Sequence, residues 1–154
     1  MRSVFWRPLV LRLLAVVMVV GVALTAAPAP AATPSEVKRG TQVLQLVNAV
    51  RADHDKGRLR RHKCLQKLAA RQAQRMAAQR RMFHQDLSNI WKTCGGTTVA
   101  ENVAYTPAGP LSLVTLWLNS LPHRKNILWK FRLTGVAVRK GGDYWYASQV
   151  FQRK

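Results

Sequence analysis

The run FRLTGVAVR (131–139), the link KGGD (140–143) and the run YWYASQVF (144–151) decide the fold. Both runs are rich in β-branched and aromatic residues. Glycines between two such runs predict an antiparallel hairpin. Apolar or aromatic groups fall on both faces: Val136 and Val138, Tyr144 and Tyr146, Trp145 and Phe151. A strand that is apolar on both faces needs cover on both. The chain before the hairpin reads as helical, so helices must supply that cover. The expected class is α+β, with a small antiparallel sheet between helical layers.

Working back from the hairpin, His123 to Leu128 predicts a helical turn, and Leu111 to Asn119 predicts a helix opened by Gly109-Pro110 and interrupted at Pro122. Gly95-Gly96 ends a short polar helix over Asp86 to Lys92. Cys64 to Arg81 carries a stripe of Leu65, Leu68, Ala69, Met76 and Ala77, broken by the polar Gln72. From Glu36 to about Asp55, Val43, Leu44, Val47 and Val50 recur at helical spacing, with Ser35 as the expected cap. Arg51 and Asp55, four apart, read as a minor helix pair. Trp91, Trp117, Trp129 and Trp145 read as core or cleft wall.

The N-terminus sets the compartment. Met1 to Arg12 carries three arginines, Leu13 to Ala27 is an apolar run, and Pro28 to Ala32 offers small residues in A-x-A order. This is the pattern of a secretory signal peptide. The alternative, a membrane anchor, needs ~20 apolar residues, and this run is shorter and closed by prolines. The expected organisation is a signal peptide over 1–31, a linker over 32–39 and a single domain over 40–154. The protein is expected to be secreted, extracellular or held at the cell envelope, and monomeric. In that compartment Cys64 and Cys94 predict one disulfide. The competing reading, a two-cysteine zinc site, lacks a C-x-x-C unit.

Lys and Arg number 25 against 6 Asp and Glu, a net charge of +19. This excludes an acidic calcium buffer and favours anionic partners. Arg58, Arg60, Arg61, Lys63, Lys67, Arg71, Arg75, Arg80 and Arg81 form a basic stripe. Its plain reading is a solvated surface. Its functional reading is a face for an anionic cell-envelope polymer or a membrane surface. Export and the lack of a DNA-binding motif argue against specific nucleic-acid recognition.

Three stretches place polar chemistry in apolar surroundings: MFHQD (82–86), AENVAY (100–105) and NSLPHRKNIL (119–128). Two histidines and a carboxylate, His84, His123 and Glu101, are a minimal divalent-metal set. They lie far apart in sequence, so only the fold could gather them. Read alone they are a cap, a loop acid and a helix-start histidine.

Taken in order, NAVR (48–51), MFH (82–84), ENVA (101–104), WLNS (117–120), HRKNIL (123–128), TGVA (134–137) and WYASQVF (145–151) resemble the CAP superfamily of cysteine-rich secretory, antigen-five and pathogenesis-related proteins, in its short secreted bacterial form. The resemblance runs from about residue 40 to 151. It implies a three-layer α-β-α sandwich, in agreement with the hairpin. It also implies a cleft in which His84 and His123 can hold zinc, with Glu101 as the cleft acid and Gln149 nearby on the last strand. This sequence departs from the family pattern in having Ala100 and Pro122 where glycines are usual, and Ser120 where eukaryotic members carry a second acid.

The function expected is that of an extracellular binding module. Its His/Glu/His cleft would take a divalent metal, Zn²⁺ by donor type, or a small ligand or lipid. The alternative is a zinc-assisted hydrolase, peptidase or esterase, with Glu101 as general base. The single acid and the absence of an H-E-x-x-H helix weigh against it.

Overall fold

The structure, a computed structural model, describes residues 30–154. Nearly all of the expected signal peptide lies outside the described residues. Helix α1 spans Pro34–Ala52. Its cap is Thr33, not Ser35. The Thr33 hydroxyl accepts from the Glu36 N–H at 3.3 Å, and the Glu36 carboxylate accepts from the Thr33 N–H at 2.7 Å. This reciprocal Thr-x-x-Glu box, with Pro34 where no amide partner is needed, starts the helix inside the stretch expected to be linker.

The elements that follow are β1 (Arg60–Arg61), α2 (Lys63–Gln79), α3 (Leu87–Cys94), β2 (Thr98–Thr106), α4 (Pro110–Asn119), α5 (Leu121–Leu128), β3 (Leu133–Gly141) and β4 (Tyr144–Arg153). The sheet order is β1-β3-β4-β2. The hairpin β3–β4 is as predicted, with Gly142-Asp143 as its turn and Gly142 at φ +59°. Two strands were not foreseen. β2 pairs antiparallel with the far side of β4, from Thr98↔Arg153 to Thr106↔Trp145. β1 is a two-residue parallel edge on β3. Where β1 stops, the Gln66 side chain completes the β3 edge, donating to the Val136 carbonyl and accepting from its N–H.

Side-chain alternation divides the core in two. Val136, Val138, Ala147, Phe151, Ala100 and Ala104 face α1, α4 and α5, meeting Val43, Val47, Leu113, Trp117 and Ile127. Ala137, Val150, Val103 and Tyr146 face α2 and α3, meeting Leu65, Leu68, Ala69, Met76 and Ile90. The sheet is thus sandwiched between helical layers. A disulfide joins Cys64 at the start of α2 to Cys94 at the end of α3. Of the four tryptophans among the described residues, Trp117 is fully buried and Trp145 packs beneath Arg39, whereas Trp91 and Trp129 are exposed.

Two positions on β3 set how closely α2 can lie. A Cβ on Gly135 would fall 2.2 Å from the Leu65 backbone, and one on Gly141 would fall 2.4 Å from the Ala77 carbonyl oxygen. Six residues of strand cover ~20 Å, and twelve residues of helix cover ~18 Å. α2 therefore runs along β3 in contact at both ends. On the other layer Arg51 is buried and makes no ion pair with Asp55. Its guanidinium donates to the carbonyls of Gly57, Ile127, Trp129 and Phe131 at 2.8, 2.5, 3.0 and 3.1 Å.

Glu36 also ties α1 to the sheet, accepting from the Lys140 N–H at 2.9 Å. Burial raises its pKa, but the Lys140 and Thr33 donors and nearby Arg139 together hold it below the usual carboxylate value. A depressed folded pKa contributes stability that is present above the unfolded glutamate pKa, about 4.3. That stability is lost as pH falls through the folded value. Glu36→Gln should therefore lower stability by about 1 kcal/mol at neutral pH and flatten the loss below pH ~4. Urea melts across pH 3 to 7 read both effects.

Candidate functional site

β2 is the free edge strand on one side of the sheet, and its consecutive residues Glu101 and Asn102 point to opposite layers. Glu101 points toward the α2–α3 layer. Its side chain has no exposed area and reaches one histidine, His84. Both oxygens are filled. Oε2 accepts from His84 Nδ1 at 2.9 Å and the Gln85 N–H at 3.1 Å. Oε1 accepts from Gln85 Nε2 at 2.7 Å and the Ser148 hydroxyl at 2.8 Å. A carboxylate so satisfied can be buried and fixes the ring of the histidine it holds.

His84 sits on the loop after α2, with its side chain 53% exposed. Gln72, expected as a break in an apolar stripe, is fully buried and anchors this loop by donating to the Phe83 carbonyl. Its own oxygen accepts from Arg75. From the other layer comes His123, in the first turn of α5. Asn102 pins that helix: its amide donates to the His123 carbonyl at 3.0 Å, and its oxygen accepts from Asn126 at 2.9 Å. The two imidazole centroids are 6.4 Å apart. Burial, and then the neighbouring His84, hold the His123 pKa below the usual imidazole value, so its ring is neutral at neutral pH.

The fold thus gathers His84, Glu101 and His123 from three elements. Gln149 pairs with Asn102, so it shares that residue's face, opposite to Glu101. It is fully buried, and its amide donates to Thr134 at 3.4 Å. Gln85, Ser148, Asn102 and Asn126 were missed as site residues. The signal for Ser148 was a small hydroxyl between Ala147 and Gln149 on the last strand. Gln85 offered none beyond lying next to His84.

No three His, Cys, Asp or Glu side chains are arranged to hold a metal ion among the described residues. Glu101 is committed to its four donors, which leaves two imidazoles as the donor set. Two imidazoles on one tetrahedral zinc have centroids about 5 Å apart. The two rings here stand about an ångström farther apart than that.

A profile of the CAP, or cysteine-rich secretory protein, family matches residues 44–151. The chain belongs to the cysteine-rich secretory protein family. Solved structures that share its fold include three from bacteria. One is an extracellular protein containing an SCP domain from Bacillus anthracis, with 25% identity and TM-score 0.70, covering 81% of this chain and 45% of that one. Another is a cysteine-rich secretory protein from Staphylococcus aureus, with 22% identity and TM-score 0.67, covering 80% and 40%. The third is an outer surface protein from Borrelia burgdorferi, with 19% identity and TM-score 0.67, covering 76% and 94%. The chain therefore spans less than half the length of the first two. Among curated proteins no sequence matches it.

The departures from the family pattern have room in this member. Ala100 faces away from Glu101 and packs in the core against α1, α4 and α5. Pro122 occupies the first turn of α5, where its missing N–H has no partner to lose.

Proposed function

We propose that this member of the cysteine-rich secretory protein family is an exported binding module. Its His84–Glu101–His123 cleft holds a divalent metal, zinc by its donor chemistry, or a small ligand, and its basic face meets an anionic envelope polymer or membrane surface. The pattern of residues 1–31 supports export, as does the likeness to the extracellular Bacillus protein and the outer surface protein from Borrelia. No helix among the described residues is long and apolar enough to cross a membrane.

The observation that carries the cleft reading is the His84 Nδ1–Glu101 bond. A carboxylate on one ring nitrogen sets the tautomer and leaves Nε2 as the ligating atom. His84 and His123 would hold the ion, and Glu101 would orient His84 without touching it. A bound zinc would supply a Lewis-acid centre with positions left open for a ligand. The hydrolase reading asks Glu101 to take a proton from water, and a carboxylate with four donors and no exposed area is poorly placed for that.

The expected result is stabilisation without turnover. Zinc at 100 times its Kd should add about 2.7 kcal/mol, read as a higher Tm, while peptide and ester substrates remain intact. Hydrolysis that Glu101→Gln abolishes would reverse the assignment.

A further inference from the structure

A cavity of about 490 Å³ opens between the α1–β1 loop and the α5–β3 segment. Its rim carries Lys56, Arg58, Arg60, Lys130, Arg132 and Arg153, with Asp55 as its one acid. All six cations are exposed, and none is in an ion pair.

The placement of these cations is fixed by the sheet. Leu133 pairs with Gln152, so the next pair outward sets Arg132 opposite Arg153. The Arg60 N–H donates to the Arg132 carbonyl at 2.9 Å, and the Arg132 N–H donates to the Gln152 carbonyl at 3.2 Å. Arg132 and Arg153 thus face each other across the β3–β4 pair, and Arg60 ends the neighbouring strand beside Leu133, one residue out of step with them. Like charges directly opposite one another across strands are destabilising. A sequence that breaks such a local rule without internal compensation marks a site where an outside group completes the arrangement.

The cavity is also preformed. Arg51, from beneath, binds the Gly57 carbonyl of one wall and the Trp129 and Phe131 carbonyls of the other. The Trp129 ring packs edge-on against Phe131 at 4.8 Å and lines the opening. Guanidinium groups match phosphate oxygens in paired hydrogen bonds. Several of them around one cavity suit a group with many acceptor oxygens and repeated charge.

We propose that this pocket binds an oligophosphate or phosphodiester chain. This deepens the basic-face part of the proposed function and is independent of the histidine cleft, so His84→Ala and His123→Ala should leave it intact.

The test is calorimetric titration of inorganic tripolyphosphate into the purified protein at physiological salt. Two charge-matched doubles are compared with it: Arg132→Gln/Arg153→Gln in the pocket and Lys67→Gln/Arg71→Gln on the exposed face of α2. The expected result is one site, weakened at least about tenfold in the pocket double and less than about twofold in the α2 double. A second measurement needs no affinity. In low salt without phosphate the pocket double should melt above the wild type, and tripolyphosphate should raise the Tm of the wild type and of the α2 double by more than that of the pocket double. Equal weakening in both doubles would reduce the pocket to diffuse charge and overturn the proposal, as would no binding. Phosphatidylglycerol vesicles separate the sources. Vesicle binding that the pocket double also loses places the phosphate on a lipid headgroup. No vesicle binding places it on a soluble or polymeric chain. Binding to vesicles but not to tripolyphosphate would contradict the proposal.

Discussion

Gly135→Ala is expected to cost at least about 3 kcal/mol and to leave much of the protein unfolded at 37 °C. The reason is spatial. A methyl at Gly135 would lie 2.2 to 2.3 Å from the Leu65 and Gln66 backbone atoms. Backbone cannot step aside as a flexible side chain does. α2 would have to lift from β3, opening the layer that holds Leu65, Leu68, Ala69 and Val150. Gly57→Ala is the matched control. Nothing lies within 4 Å of its Cβ position, so the same methyl there should be neutral or stabilise by about 0.4–1 kcal/mol through the unfolded chain. Chemical denaturation of the two variants side by side reads the difference. Equal stabilities would mean that α2 does not approach β3 this closely.

Arg51→Met should cost about 4 kcal/mol. Methionine keeps the aliphatic volume but removes donors from four carbonyls on two separate segments. Burial lowers the pKa of this arginine, yet a guanidinium stays charged at neutral pH, and the carbonyl oxygens around it supply what water would. Once it is lost, the 53–59 loop and the 129–132 segment have no common anchor. Hydrogen exchange should therefore quicken in both segments together while α2 keeps its protection. Fast exchange in only one of them would contradict a shared anchor.

Arg51 also shows where the sequence stopped being readable. Spacing on a helix suggested Asp55 as its partner, because i and i+4 residues are neighbours. The true partners are backbone carbonyls up to eighty residues away, and no local pattern encodes those. The hairpin was legible because both of its runs are continuous and apolar, so one pattern gave the strands, the turn and the need for two helical layers. β2 was not legible, because Glu101-Asn102 interrupts what would otherwise alternate. Those two residues are polar for separate reasons: one holds His84 and the other holds α5. The face of Gln149 follows from its pairing with Asn102. Until that register is known, its nearness to the cleft in sequence terms says nothing about which layer it enters. His84, Glu101 and His123 were found through a resemblance in residue order. The structure adds the reason they converge: an edge strand flanked by a loop held by Gln72 and a helix pinned by Asn102.

On the proposed function, two imidazoles, one oriented by a buried carboxylate, would hold a divalent metal. Calorimetric titration of Zn²⁺ into the metal-free protein, alongside His84→Ala and His123→Ala, tests it most directly. One ion per chain should bind at micromolar or tighter affinity, and both variants should lose it. Wild-type protein that takes up no zinc, or variants that bind it as well as the wild type, would contradict it.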